Sequence, residues 1–201
     1  MLAQGVAPAL IENAAKQAGM AIGPLAVTDE VSLGLQKSVI DQAIADKLPD
    51  RCVRLHAAPV VEKLISLGRS GRKAGMGFYS YPSDAKKHLW SGLHELYALM
   101  ESQPSVDEVR QRLLYIQALE AARCVEDGVL TAAADADIGA VLGLGFPTWT
   151  GGTLSLIETI GLRAFVAECD RLASQFGERF RPSEWLLNRA NTNEPFFARP
   201  A

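Results

Sequence analysis

One stretch of this chain occurs twice, and the duplication limits the fold more than any other feature. Gly23-Pro24-Leu25-Ala26-Val27-Thr28-Asp29-Glu30-Val31 can be laid on Gly152-Thr153-Leu154-Ser155-Leu156-Ile157-Glu158-Thr159-Ile160, with Gly23 on Gly152, Leu25 on Leu154 and Asp29 on Glu158. Each copy is preceded by a Gly-Val pair and a helical pattern: Gly5 lies 18 positions before Gly23, and Gly128 lies 24 positions before Gly152. Self-similarity of this kind predicts two related units, one over residues 1–100 and a second, degenerate one over 101–201. The first lacks the long opening helix that 106–127 supplies in the second. That difference predicts a first helix truncated upstream.

Helical periodicity runs throughout. Pro8 suits a first helical turn and Gly19 a stop, which bound a helix between them. After Gly23-Pro24 a longer pattern extends to about Lys47, with Leu35, Val39, Ile40, Ala43 and Ile44 on one face, until Pro49-Asp50 interrupts it. A short helix over 60–67 leads to Gly68. Ser83-Asp84 predicts an N-cap for a helix carrying Leu89, Leu93, Leu96 and Tyr97. Residues 101–105 read as a linker. Val106, Val109, Leu113 and Ile116 then keep one face of a helix reaching Gly128. Thr131 predicts the cap of a helix over 132–142, and Phe165, Val166, Cys169, Leu172 and Phe176 stripe a last long one. No segment alternates as a strand does, so the expected class is all-α.

Composition excludes several functions. A net charge of −3 gives no electrostatic case for nucleic acid. No apolar run approaches the length of a membrane span, and the N-terminus has no basic signal region. Cys52, Cys124 and Cys169 are widely spaced, without a CxxC pair, and Cys124 and Cys169, within apolar helical patterns, predict buried free thiols in a reducing compartment. His56, His88 and His94 form no ligand pair, so no metal site is expected.

The richest local chemistry is Gly71-Arg72-Lys73-Ala74-Gly75-Met76-Gly77-Phe78-Tyr79-Ser80-Tyr81. Glycines here allow close backbone approach, two cations sit between the first pair, and aromatic residues follow. Most of it reads as a surface loop pinned to the core by Phe78 and Tyr79, with Lys73 or the loop backbone facing an anionic ligand. The run Gly139–Gly145 is no dinucleotide fingerprint, because it follows a helix and leads to Pro147 rather than following a strand and opening a helix. No nucleophile elbow or triad is present. Asp135 and Asp137, at i and i+2, suit a helix start. Asp29 and Glu158 are expected to brace neighbouring loops.

Taken together, Gly5–Glu12, Met20–Leu25, Gly71–Tyr81, Ala134–Gly139 and Gly145-Phe146-Pro147 resemble the C-terminal region of 3-hydroxyacyl-CoA dehydrogenases, as in the multifunctional proteins of fatty-acid β-oxidation. Met76 stands where that family often has lysine. The resemblance implies an all-α, duplicated C-terminal region without its Rossmann domain, part of an NAD-dependent enzyme that oxidises 3-hydroxyacyl-CoA to 3-ketoacyl-CoA. It implies that NAD and the catalytic base belong to an upstream Rossmann domain, with no catalytic residue in this chain and no activity from it alone. Gly23, Pro24, Lys73, Gly75, Gly77, Phe78 and Tyr79 would lie on loops facing acyl-CoA or that domain. It also implies a cytoplasmic protein and a face suited to self-association. The alternative is a free-standing, non-catalytic helical module that binds acyl-CoA or a partner enzyme.

Overall fold

The computed structural model describes residues 1–48 and 56–197. Cys52 and the expected break at Pro49-Asp50 fall outside them. Among the described residues there are ten α-helices and one two-stranded sheet. Two compact units account for the chain: Met1–Ala15 with Ile22–Val106, and Lys16–Ala21 with Asp107 onward.

In the first unit, α1 (Pro8–Ala18) starts on proline as expected and buries Ile11, Ala14 and Ala15 on one side. The long helix expected after Gly23-Pro24 is two helices, α2 (Pro24–Val31) and α3 (Leu33–Ala45). Ser32 separates them with φ 77°, a conformation normally left to glycine. Its hydroxyl accepts from the Leu35 amide, which caps α3. The second unit repeats the joint between α8 (Thr153–Ile160) and α9 (Leu162–Phe176), and there Gly161 takes φ 91°. Ser32→Gly should therefore raise stability by about 1 kcal/mol, the relief of backbone strain exceeding the weaker cap and the freer unfolded chain. An unchanged or lower urea midpoint would show that Ser32 is not strained.

The face expected for α3 is only partly buried. Ile40 and Ala43 are covered, whereas Leu35 (53%), Val39 (50%) and Ile44 (52%) are exposed. Periodicity marks an apolar stripe but not what covers it, and this stripe is wider than the surface that α4 (Ala58–Ser66) offers it.

The helix expected after Ser83-Asp84 is also corrected. Tyr79–Ser80 (β1) pairs antiparallel with His88–Leu89 (β2), Tyr79 opposite Leu89, and only Leu93–Leu96 is helical (α5). The Trp90 amide extends the pairing by donating to the Phe78 carbonyl, and the buried Arg69 guanidinium stacks 4.1 Å from the Trp90 ring. These hairpin contacts outweigh a weak local helix preference.

The second unit packs around α6 (Val106–Glu126), the expected long helix, which buries Val109, Leu113, Ala118, Leu119 and Ala122. Tyr115 meets Phe165 of α9 with ring centroids 4.7 Å apart. Cys169 is fully buried, which pushes its thiol up to about 12; Cys124 is half-buried, and neither forms a disulfide among the described residues. α7 (Ala133–Ile138) is shorter than expected and is not capped by Thr131; it runs into a π-helical turn over Gly139–Gly143. α10 (Glu184–Thr192) closes the unit, capped by the Ser183 hydroxyl. No described helix is long and apolar enough to cross a membrane.

Candidate functional site

The glycine-rich loop of the first unit is held by two buried carboxylates. Asp29, near the end of α2, accepts from the Phe78 and Tyr79 amides at 2.8 Å each and from the Tyr81 hydroxyl at 3.0 Å. Burial raises its carboxyl above the usual range, opposed by those amides, by Tyr81 and by the nearby Arg69. Arg69 completes the clasp from the other side: its Nε donates to the Gly77 carbonyl at 2.7 Å and its Nη2 to the Tyr79 carbonyl at 3.0 Å. A side chain at Gly77 would occupy the Asp29 carboxylate's place.

Glu12 of α1 is the second carboxylate. One oxygen caps α2 by accepting from the Leu25 amide at 2.7 Å, and the other accepts from the Tyr79 hydroxyl at 2.6 Å. Gly23 is the N-cap of α2, and a Cβ there would land on the same Glu12 carboxylate. Two helices and the hairpin thus converge on a pair of buried acids.

The loop tip is rigid for the same reason. Amides of Gly71, Ala74, Gly75, Met76, Gly77, Phe78, Tyr79 and Tyr81 all donate within the unit. Of the residues singled out from sequence, Gly23, Gly77, Phe78 and Tyr79 are buried in the clasp and Pro24 is half-buried. Lys73 and Gly75 are exposed at the tip, and Arg72 beside them pairs with Glu30 at 2.6 Å. Glu12 and Arg69 were not anticipated. An acid among Ile11, Ala14 and Ala15 on the buried side of α1 was the available signal for Glu12.

The second unit rebuilds both contacts from different residues. Asp137 of α7 accepts from the Leu154 amide at 2.7 Å and from the Ser155 amide and hydroxyl at 3.1 and 2.6 Å, capping α8 where Glu12 caps α2. It does not serve its own helix start, as its spacing suggested. Gly152 stands where Gly23 does, with a Cβ position filled by Asp137. Glu158 accepts from the Phe196 and Phe197 amides, as Asp29 does from Phe78 and Tyr79. Arg189 donates to the Glu194 and Pro195 carbonyls in the role of Arg69. The expected bracing by Asp29 and Glu158 is present in both units, although the second has no glycine-lysine loop.

Burial first, and then its bond to Glu12, raises the Tyr79 phenol well above 10.0. The folded state keeps this proton where the unfolded chain loses it, so stability should fall as pH rises past 10. The slope expected is about 1.4 kcal/mol per pH unit for this one group. A urea midpoint that stays flat from about pH 10 to 11.5, tracked with tyrosinate absorbance, would contradict the burial of that hydroxyl.

Residues 1–81 match the family of 3-hydroxyacyl-CoA dehydrogenase C-terminal domains. The whole chain is similar to the alpha subunits of fatty acid oxidation complexes. That of Vibrio cholerae serotype O1 (Classical Ogawa 395) is 33% identical over 180 residues, covering 89% of this chain and 25% of the relative. That of Shewanella baltica is 33% identical over 201 residues, covering 98% and 28%. The chain thus spans about a quarter of the length of these relatives. Its fold matches the crystal structure of 3-hydroxybutyryl-CoA dehydrogenase from Escherichia coli K12 with a TM-score of 0.69 at 19% identity, over 94% of this chain and 55% of that one.

The run Gly139–Gly145 continues a helix as a π-helical turn and leads to Pro147, so it offers no helix N-terminus to a pyrophosphate. No group of three or more potential metal ligands is found among the described residues.

Proposed function

We propose that this chain is the helical C-terminal part of an NAD-dependent 3-hydroxyacyl-CoA dehydrogenase of fatty-acid β-oxidation, working in the cytoplasm with a Rossmann domain that carries NAD and the catalytic base. The clasped loop of the first unit would close over the acyl-CoA cleft of that domain. The observation that carries this reading is the Glu12–Asp29 clasp, which lies within the residues matched to the family and fixes the Gly23-Pro24 turn and the Gly71–Tyr81 hairpin against one another. Such a surface positions a substrate without itself moving a proton or a hydride. Exposed Val27 and Val31 on α2, with Leu35 and Val39 on α3, support a face that further polypeptide covers, whether the Rossmann domain or a second copy.

The test is catalytic. The purified 201-residue chain should leave NADH unoxidised in the presence of acetoacetyl-CoA, and the same chain joined to a Rossmann domain of the family should turn it over. Turnover by the chain alone would place the base and the cofactor within it and refute the division of labour. A second reading, a non-catalytic module that binds acyl-CoA by itself, requires a saturable calorimetric titration with acyl-CoA in the absence of any other domain.

A further inference from the structure

Residues 69–88 carry five cations, Arg69, Arg72, Lys73, Lys86 and Lys87, against the single acid Asp84, in a chain whose net charge is −3. Arg69 is spent on the clasp. Two of the others line an open cavity of about 370 Å³, whose wall is Arg72, Tyr81, Pro82, Ala85 and Lys87. We propose that this cavity is a binding site for a nucleotide phosphate, with the phosphate between Arg72 and Lys87 and the base against Tyr81 and Pro82.

The lining is held in place before any ligand arrives. Tyr81 is fixed at both ends, its amide on the Gly75 carbonyl and its hydroxyl on Asp29, so its ring is a rigid wall. Arg72 is oriented by one Nη1 bond to Glu30, which leaves the rest of its planar fork for a second anion. The Lys87 ammonium lies 5.1 Å from the Tyr79 ring centroid and 5.9 Å from that of Tyr81, and it makes no ion pair among the described residues. Glu30 already faces Arg72, and Asp84 is exposed, so a phosphate dianion entering here finds a net positive wall. Flat rings stack on tyrosine and proline faces, whereas a bare carboxylate would leave that wall unused. The volume suits one nucleotide rather than a larger ligand.

This site stands on its own geometry and not on the dehydrogenase reading, so either can fail alone. Adenosine 3′,5′-bisphosphate is the probe, titrated calorimetrically into the 201-residue chain. One saturable site is expected. Lys87→Gln should weaken it about tenfold, the loss of one charge-assisted contact. Ala85→Trp, which fills the cavity while keeping every charge, should abolish it, and Lys63→Gln on α4 should leave it unchanged. Absence of saturable binding overturns the proposal, and so does binding that survives Ala85→Trp, which would reduce the site to diffuse surface charge. Competition by acetyl-CoA would identify the phosphoadenosine end of coenzyme A as the source. Failure of acetyl-CoA to compete would identify a free nucleotide. Inorganic phosphate binding as tightly as the bisphosphate would remove the role assigned to Tyr81 and Pro82, and the nucleotide assignment with it.

Discussion

Asp29→Ala is expected to destabilise the first unit by about 3–5 kcal/mol, the range for removing one partner of a buried charged network. Two effects add. The Phe78 and Tyr79 amides, each 2.8 Å from the carboxylate, lose a charged acceptor in a place that water reaches poorly. The Arg69 guanidinium, 7% exposed, keeps its carbonyl partners but loses its nearest counter-charge. Asp29→Asn keeps the volume but turns one acceptor into a donor facing an amide, so a cost of about 1–2 kcal/mol is expected. Urea unfolding gives the size of the effect, and hydrogen exchange at the Phe78 and Tyr79 amides locates it. A loss under about 1 kcal/mol with both amides still protected would mean that Arg69 alone holds the hairpin.

Gly152→Ala should cost the second unit about 3–5 kcal/mol, and more than Gly23→Ala costs the first. Both added methyl groups meet a buried carboxylate residue. Glu12 presents only the end of a long side chain to Gly23 and can swing aside, whereas at Gly152 the clash includes the Asp137 Cβ, close to the backbone of α7. Gly152 also holds φ 131°, where an alanine is strained, while Gly23 sits at an ordinary φ of −70°. Shifting Asp137 would weaken its bonds to Leu154 and Ser155 at the start of α8. Equal losses in the two variants, measured by thermal unfolding, would show that neither the Asp137 Cβ nor the backbone angle adds a cost at Gly152.

Much of the architecture could be read from the residues because helices announce themselves locally. Pro8 and Pro24 begin helices, the apolar stripes of α6 and α9 end up inside, and the Gly23/Gly152 and Asp29/Glu158 correspondences mark places with the same geometry. What escaped was decided at long range. Two-residue strands are too short to alternate, so β1 and β2 left no trace in the pattern. Glu12 and Asp137 cap helices that start 12 and 16 positions after them, and nothing in local spacing names such a partner. Leu35, Val39 and Ile44 look like core because periodicity measures the width of a stripe and not the extent of its cover. The cations around Tyr81 fall together only once the hairpin folds Lys87 back over the rings of Tyr79 and Tyr81.

The distance along the chain between Glu12 and Tyr79 sets an order of events during synthesis. They are 67 residues apart, and Asp29 precedes Phe78 by 49. At about 5–20 residues per second, a ribosome needs roughly 3–13 s to travel from one to the other. Throughout that interval α2 lacks its latch and both acids lack their hydroxyl partners, so the first unit can hold helices but cannot lock them. Chains halted anywhere before Gly77 should therefore be open to proteolysis, and resistance should appear abruptly once Tyr81 has left the exit tunnel.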